Sequence, residues 1–121
     1  MKNMEKEVYS YNNQYLTCND RPILPIMGEF HFSRYPEGEW KTAIKNMQQG
    51  GVDIVATYVF WIHHEEAEGE WDFSGRINLK VFLTCCQEAG MKVWLRIGPW
   101  AHGECRNGGF PDWLVEKEKR G

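Results

Sequence analysis

The most unusual part of this sequence is RIGPWAHGECRNGGFPDWL, residues 96–114. An apolar run ends there on Gly-Pro, and a glycine-rich segment then carries an indole, an imidazole, a carboxylate, a thiol and a guanidinium in close succession. Two shorter segments of similar character, GEFHFSR and TYVFWIHHE, precede it. Glycine lets the backbone approach a ligand closely, and binding groups concentrate on loops held by a rigid scaffold. The sequence therefore predicts a ligand site rather than a plain connection.

Metal and thiol chemistry are both disfavoured by the spacing of the candidate residues. Neither an H-E-x-x-H motif nor a paired-cysteine spacing arranges the possible metal ligands, which are His63, His64, Glu65, His102, Glu104 and Cys105. Cys105 near His102 could form a nucleophile with its base, but nothing local marks an activated thiol. We therefore expect no metal site and no cofactor.

Carboxylates among aromatic rings offer a third kind of chemistry. Glu65 and Glu104 follow two different apolar runs, with Tyr58, Trp61 and Trp100 nearby in the sequence. Sugar hydrolases pair acidic groups in such surroundings, and aromatic faces suit the apolar faces of a pyranose ring. The more ordinary interpretation is that Arg96 pairs with Glu29 in a buried ion pair, and that the acidic residues from Glu66 to Glu70 form a solvated loop.

Composition narrows the class of protein. The 121 residues are 42% hydrophobic, which is enough for one modest core and hence for one domain over residues 1–121. Fourteen basic against seventeen acidic residues give a net charge of −3 and no basic stripe, so we expect no nucleic-acid partner. No apolar run approaches the roughly 20 residues of a membrane span, and the first ten residues lack the apolar core of a secretion signal. The cellular compartment stays open.

Strand and helix patterns alternate along the chain. YLTC predicts a short strand, Asn19-Asp20 a turn, and the residues from about Ile23 to Phe32 a second strand. Helices are predicted from Pro36 to Gly50, over residues 77–89 and from Pro111 onward. Near-continuous apolar runs at residues 52–61 and 91–99 predict strands covered on both faces, and Trp40 and Trp94 are expected in the core. All four cysteines are expected to be free thiols.

This alternation predicts an α/β fold with a parallel sheet. A doubly wound sheet would normally carry a phosphate-binding glycine motif after its first strand, but the chain reads GEFHFSRYP at that place. An aromatic and charged loop suits a TIM (β/α)8 barrel better, because such barrels gather function on the loops after their strands. The unusual residues follow all three predicted strands.

Five blocks carry a family resemblance: GEFHFSRYPEGEW, GGVDIVATYVFWIHHE, GEWDFSGRINLKVFL, AGMKVWLRIGPWAHGE and GGFPDWL. In order and spacing they resemble the N-terminal part of the glycoside hydrolase family 35 β-galactosidases, from about Ile23 to Leu114. The resemblance implies the N-terminal portion of a TIM barrel, with about three β/α units after a short N-terminal hairpin. It also implies a retaining enzyme that removes terminal β-linked galactose by means of two glutamates. In the family both lie on later strands, one within an Asn-Glu pair that this sequence lacks, so we expect them beyond Gly121.

The resemblance also implies which residues bind the sugar. Tyr58 and the loop residues Ala101, His102, Gly103 and Glu104 match positions that contact galactose hydroxyls. Glu104 would accept hydrogen bonds from them, and a supporting role is expected for Arg34, Trp61 and Arg96. The partner is then a β-galactoside or a related carbohydrate, and exposed sheet edges are expected to make the chain self-associate.

Three departures from the family pattern border the expected sugar pocket. Ile62 stands where the family usually has asparagine, and Glu66 stands where it usually has proline. Residues 100–103, WAHG, stand where the family commonly has tyrosine-isoleucine-cysteine-alanine after Gly-Pro. A related β-linked sugar is therefore an alternative to galactose. A family 42-like β-glycosidase and a stand-alone carbohydrate-binding module are the alternative functions.

Overall fold

The computed structural model describes residues 5–121 and shows an α/β chain with two sheets. The strands are β1 (Tyr9–Tyr11), β2 (Leu16–Cys18), β3 (Arg21–Ile23), β4 (Met27–Glu29), β5 (Ile54–Tyr58) and β6 (Lys92–Arg96). The helices are α1 (Trp40–Gln49), α2 (Trp61–His64), α3 (Leu79–Glu88) and α4 (Asp112–Arg120). Residues 1–4 lie outside this description. They belong to the first ten residues, in which we expect no secretion signal.

The N-terminal sheet is an antiparallel meander in the order β1-β2-β3. Asn19 and Asp20 connect β2 to β3 with φ angles of 50° and 63°, the left-handed conformations that a two-residue hairpin of type I′ requires. The predicted turn is therefore confirmed. Glu7 lies just before β1, and its carboxylate approaches the ammonium of Lys92 in β6 at 3.3 Å, so an ion pair ties the segment before the meander to the parallel sheet.

The prediction of one strand from Ile23 to Phe32 is wrong. β3 ends at Ile23 in the meander, and β4 begins at Met27 in the second sheet. Pro25 lies between them and has no N–H to give to a ladder, so the sheet pairing breaks there. Phe32 lies beyond β4 in a 3-10 turn, where its N–H donates to Thr57 Oγ1 at 3.4 Å.

The second sheet is parallel, in the order β4-β5-β6. Because side chains alternate along a strand, Val55 and Val93 point toward the helices, whereas Ala56 and Trp94 point to the opposite face. We call this opposite face of β4, β5 and β6 the inner face. Trp94 is 57% exposed there, so the prediction that it lies in the core is wrong.

The main core lies between the parallel sheet and helices α1 and α3. Its buried members are Phe32, Trp40, Ile44, Val55, Phe82, Cys85, Cys86 and Met91. The expectation for Trp40 is confirmed: it is fully buried, and its Nε1 donates to the carbonyls of Phe32 at 3.2 Å and Tyr35 at 3.1 Å. These bonds tie the loop after β4 to the start of α1.

The three longer helices occupy the segments that the apolar periodicity predicts. A 3-10 turn at Glu37–Glu39 leads into α1, and Asn78 Oδ1 accepts from the Val81 N–H at 3.1 Å to cap α3. Pro111 precedes α4, as proline commonly does at a helix start. Within residues 5–121, no helix is both long and apolar enough to cross a membrane.

All four cysteines are free thiols, as expected. Cys85 and Cys86 are buried in the main core, and burial raises the pKa of the Cys86 thiol to about 12. Because the thiolate is the reactive form, Cys86 is inert at neutral pH. Cys18 and Cys105 are half-buried.

Candidate functional site

Three loops converge where the parallel strands end, and a half-open cavity of about 790 Å³ lies between them. This volume lies within the usual range of small-molecule sites, about 300–1,000 Å³. The loops following β4, β5 and β6 all contribute, together with the first residue of α4. The lining residues are Ser33, Arg34, Ile62, His63, Glu66, Arg76, Glu104, Cys105, Arg106 and Asp112.

Phe60 is the buried centre around which these loops pack. Its side chain is 1% exposed and forms a small core with Ile62 and Ala101. The guanidinium of Arg34 lies 4.9 Å from the Phe60 ring centroid, in cation–π geometry. The ring of Tyr58 lies 5.5 Å from that of Phe60. The sequence alone does not identify Phe60 as a site residue, because an aromatic residue inside an apolar run is typical of any buried strand.

Gly103 brings the loop after β6 into direct contact with the rings that follow β5. A Cβ atom at Gly103 would lie 2.8 Å from the Phe60 ring and 3.3 Å from Tyr58 Cδ2. Arg34 Nη2 donates a hydrogen bond to the Gly103 carbonyl from the other side. Three predicted site residues, Arg34, Tyr58 and Gly103, are thereby brought together, and glycine is required at the point of closest approach.

A methyl group at Gly103 should therefore destabilise the protein. We expect Gly103→Ala to lower the free energy of unfolding by about 1–3 kcal/mol, because the ring of Phe60 must shift to admit it. Gly38→Ala is the matched control, since a Cβ there meets nothing within 4 Å. Urea denaturation of both variants measures the difference, and equal stability would contradict the close approach.

The loop after β6 is held in shape by Trp100 and by the start of α4. The indole of Trp100 lies so close to Gly108 that a Cβ there would overlap the ring, and the Gly108 φ angle is 62°. Ala101 is buried, and its N–H donates to the Gly108 carbonyl at 2.7 Å. Asp112 accepts from Arg106 at 2.6 Å and from Asn107 at 2.8 Å. Contacts within residues 100–112 therefore hold this loop in one conformation.

Glu104 is the exposed carboxylate of this loop and lines the cavity. Its backbone has a φ of 54°, a left-handed conformation that is uncommon for residues other than glycine. Such conformations persist only where the surroundings enforce them, and they cluster at functional sites. His102 is also exposed, with its ring 6.0 Å from that of Trp100 in an edge-on arrangement, but it does not line the cavity.

A second polar cluster lies at the end of the inner face. Arg96 pairs with Glu29, and its guanidinium carbon lies 5.2 Å from the Tyr58 ring centroid. The hydrogen bond from Arg96 lowers the pKa of the Glu29 carboxyl. The predicted pairing of these two residues is confirmed, but the expected burial is wrong, because their side chains are 31% and 54% exposed. His31 Nδ1 accepts from the Tyr58 N–H at 3.3 Å.

Trp61 and Glu65 belong to a separate, structural arrangement. Glu65 is 5% exposed, and its two carboxylate oxygens accept from Trp61 Nε1 at 2.5 Å and from the Gly69 N–H at 2.7 Å. Trp113 Nε1 donates to the Glu65 carbonyl at 2.9 Å. The carboxylate of Glu65 thus ties the loop after β5 together, and it does not line the cavity that holds Glu104.

The remaining candidates play smaller parts. His63 is half-buried at the cavity, and burial lowers its pKa, so it is neutral at pH 7. Phe73 stacks on the buried ring of His64 at 4.5 Å, and this contact packs the end of the acidic loop onto the structure. Within residues 5–121, no three side chains of His, Cys, Asp or Glu are grouped to hold a metal ion.

Comparison with known proteins identifies the family. Residues 15–121 match the family described as Glycosyl hydrolases family 35. The chain belongs to this family. Over 111 residues it is 40% identical to Beta-galactosidase 11 of Arabidopsis thaliana, and over 112 residues 37% identical to Beta-galactosidase 13 of the same plant. Beta-galactosidase 10 of that plant is 35% identical over 113 residues. These alignments cover 92–93% of the chain but only 13–15% of each relative's length.

Family membership confirms the resemblance seen in the five sequence blocks and favours family 35 over family 42. Family 35 implies a TIM barrel. The parallel sheet and its connecting helices are consistent with that fold. The curated relatives are named β-galactosidases.

Proposed function

We propose that this chain is the N-terminal portion of the catalytic barrel of a retaining β-galactosidase that removes terminal β-linked galactose. In this proposal β4, β5 and β6, with α1, α3 and α4, are the first three β/α units of the barrel, and the meander precedes them. The chain supplies sugar-binding loops, and the two catalytic glutamates lie beyond Gly121. The loops after the three parallel strands then face the sugar, as the loops after the strands do in other TIM-barrel enzymes.

The observation that carries the proposal is the position of Glu104. Its carboxylate lines the shared cavity on a left-handed backbone, directly after the glycine whose carbonyl Arg34 holds. An ionised carboxylate accepts strong, directional hydrogen bonds, and sugar hydroxyls are suitable donors. A pocket built to pair with a substrate hydroxyl also discriminates strongly against analogues that cannot pair with it.

The charge of the cavity suits a neutral, polyhydroxylated ligand. Three guanidinium groups line it, those of Arg34, Arg76 and Arg106. Three carboxylates match them in number, those of Glu66, Glu104 and Asp112. Arg106 and Asp112 neutralise each other in an ion pair at 2.6 Å. Hydroxyl groups both donate and accept, so a lining that offers cations and anions in equal number can pair with them without favouring a charged ligand.

In this proposal some of the other predicted site residues contact the sugar, and the rest position those that do. Tyr58, Ala101, His102 and Gly103 are the further contacts to sugar hydroxyls, although none of the four lines the cavity that holds Glu104. Gly103 permits the close approach of its loop to Tyr58. Arg34 fixes the loop through the Gly103 carbonyl. Arg96 orients the Tyr58 ring by cation–π contact, and Trp61 supports the loop after β5 through its bond to Glu65.

Replacement of Glu104 in the complete enzyme tests this function. Glu104→Gln should preserve the fold and reduce kcat/KM on an aryl β-galactoside by a factor that corresponds to about 1–3 kcal/mol, because a charge-assisted hydrogen bond is lost. Glu116→Gln is the control, since Glu116 is exposed on α4. Unchanged kcat/KM in Glu104→Gln would place this residue outside the sugar site.

We also propose that the 121-residue chain self-associates when it is produced alone. In the described part of the chain, β4 and β6 each pair with β5 only, and Trp94 is exposed on β6. An unpaired edge strand is a template for pairing with another copy. Light scattering after size exclusion should give a mass above the 14.2 kDa of one chain, and Trp94→Lys should reduce it. A compact monomer at micromolar concentration would contradict the prediction.

A further inference from the structure

Ser33 lines the cavity and carries a buried hydroxyl group that has no partner in the described part of the chain. It lies in the 3-10 turn after β4, between Phe32 in the main core and Arg34 at the cavity. Ser33 is 4% exposed, and among residues 5–121 its Oγ has no hydrogen-bond partner. It nevertheless lines the same cavity as Glu104.

A buried hydroxyl without a partner needs an explanation. The large majority of buried polar side-chain atoms in native proteins are hydrogen-bonded, because removal from water without a new bond is unfavourable. Alanine at this position would avoid that penalty at almost the same volume. The hydroxyl makes no hydrogen bond within the described fold, and the position of Ser33 in the lining of a ligand cavity points to a bond made with the ligand.

We propose that Ser33 Oγ hydrogen-bonds a hydroxyl group of the bound sugar and is a specificity-determining residue beside Glu104. This inference rests on the proposed function, because it uses the same cavity and the same ligand. A serine hydroxyl both donates and accepts, so it complements a carboxylate that only accepts. No hydrogen bond holds the side chain in its present rotamer, so Oγ is free to take another rotamer when the sugar binds.

The experiment compares Ser33→Ala with the unaltered complete enzyme by titration calorimetry with galactose. We expect the dissociation constant to rise about twofold to twelvefold, the range for one neutral hydrogen bond. We expect the melting temperature to stay unchanged or to rise, because an unpaired buried hydroxyl is removed. Ser10→Ala, at an exposed position in β1, is the control and should change neither quantity.

Monodeoxy galactoses identify the hydroxyl concerned. For the sugar that lacks it, Ser33→Ala should cause no further loss of affinity, whereas the other deoxy sugars should show the full loss. A lowered melting temperature in Ser33→Ala would overturn the inference, since the hydroxyl would then pair within the protein. Unchanged galactose affinity in Ser33→Ala, with weakened binding in Glu104→Gln, would overturn it and leave the proposed function intact. Unchanged galactose affinity in Ser33→Ala and in Glu104→Gln would overturn this inference and the proposed function together.

Discussion

Produced alone, the 121-residue chain is expected to leave an aryl β-galactoside unhydrolysed above the rate in buffer. A retaining glycosidase needs two carboxyl groups about 5–5.5 Å apart, one to attack the anomeric carbon and one to protonate the leaving oxygen. Both oxygens of the Glu65 carboxylate accept hydrogen bonds within its own loop, and we propose that Glu104 binds sugar hydroxyls. The chain then lacks both catalytic groups. Relative to the complete enzyme the loss should be on the order of 10⁶-fold or more.

The assay compares the purified chain with its Glu65→Ala and Glu104→Ala variants on a chromogenic substrate. All three should give the buffer rate. Turnover that disappears in either variant would make that glutamate a catalytic group and would contradict the proposed division of roles. Weak binding of galactose without turnover would agree with the proposal.

Phe60→Ala should be the most disruptive single substitution at the site. Phe60 is 1% exposed and contacts the groups that shape all three loops. Loss of a buried phenylalanine costs about 3–5 kcal/mol of unfolding free energy, because a cavity remains. The loop that carries Glu104 would also lose its support at Gly103, and displacement of a binding group by about 1 Å can cost 10²-fold in rate.

Phe73→Ala is the matched control for this substitution. Phe73 is 44% exposed and stacks on His64, and it does not line the cavity that holds Glu104. It should lose less than half as much stability in urea denaturation of the complete enzyme, and its kcat/KM should change little. Equal losses in both variants would show that Phe60 is not the centre of the site.

Much of the fold follows from local sequence patterns. The helical periodicity around Trp40 and the Asn19-Asp20 turn identify their elements because both patterns depend on local geometry alone. The strand boundaries were harder, since an apolar run continues past the end of a ladder. The run TYVFW contains both the last residues of β5 and the first residue of α2.

The failures concern relations between distant residues. The size of Trp94 and its place in an apolar run predict a core position. Strand alternation and register instead direct Val93 toward the helices and Trp94 toward the inner face. The Arg96–Glu29 pair was predicted from charge, yet its exposure depends on which residues cover the inner face. The central role of Phe60 depends on Gly103, 43 positions later in the chain, and no local pattern connects the two.

A crystal structure of the complete enzyme with galactose is the most direct test of whether Glu104 binds the sugar. We expect galactose at the convergence of the three loops, with a hydroxyl oxygen about 2.5–3.0 Å from a Glu104 carboxylate oxygen. Galactose bound elsewhere in the enzyme, or bound at this convergence without contact to the Glu104 carboxylate, would contradict it.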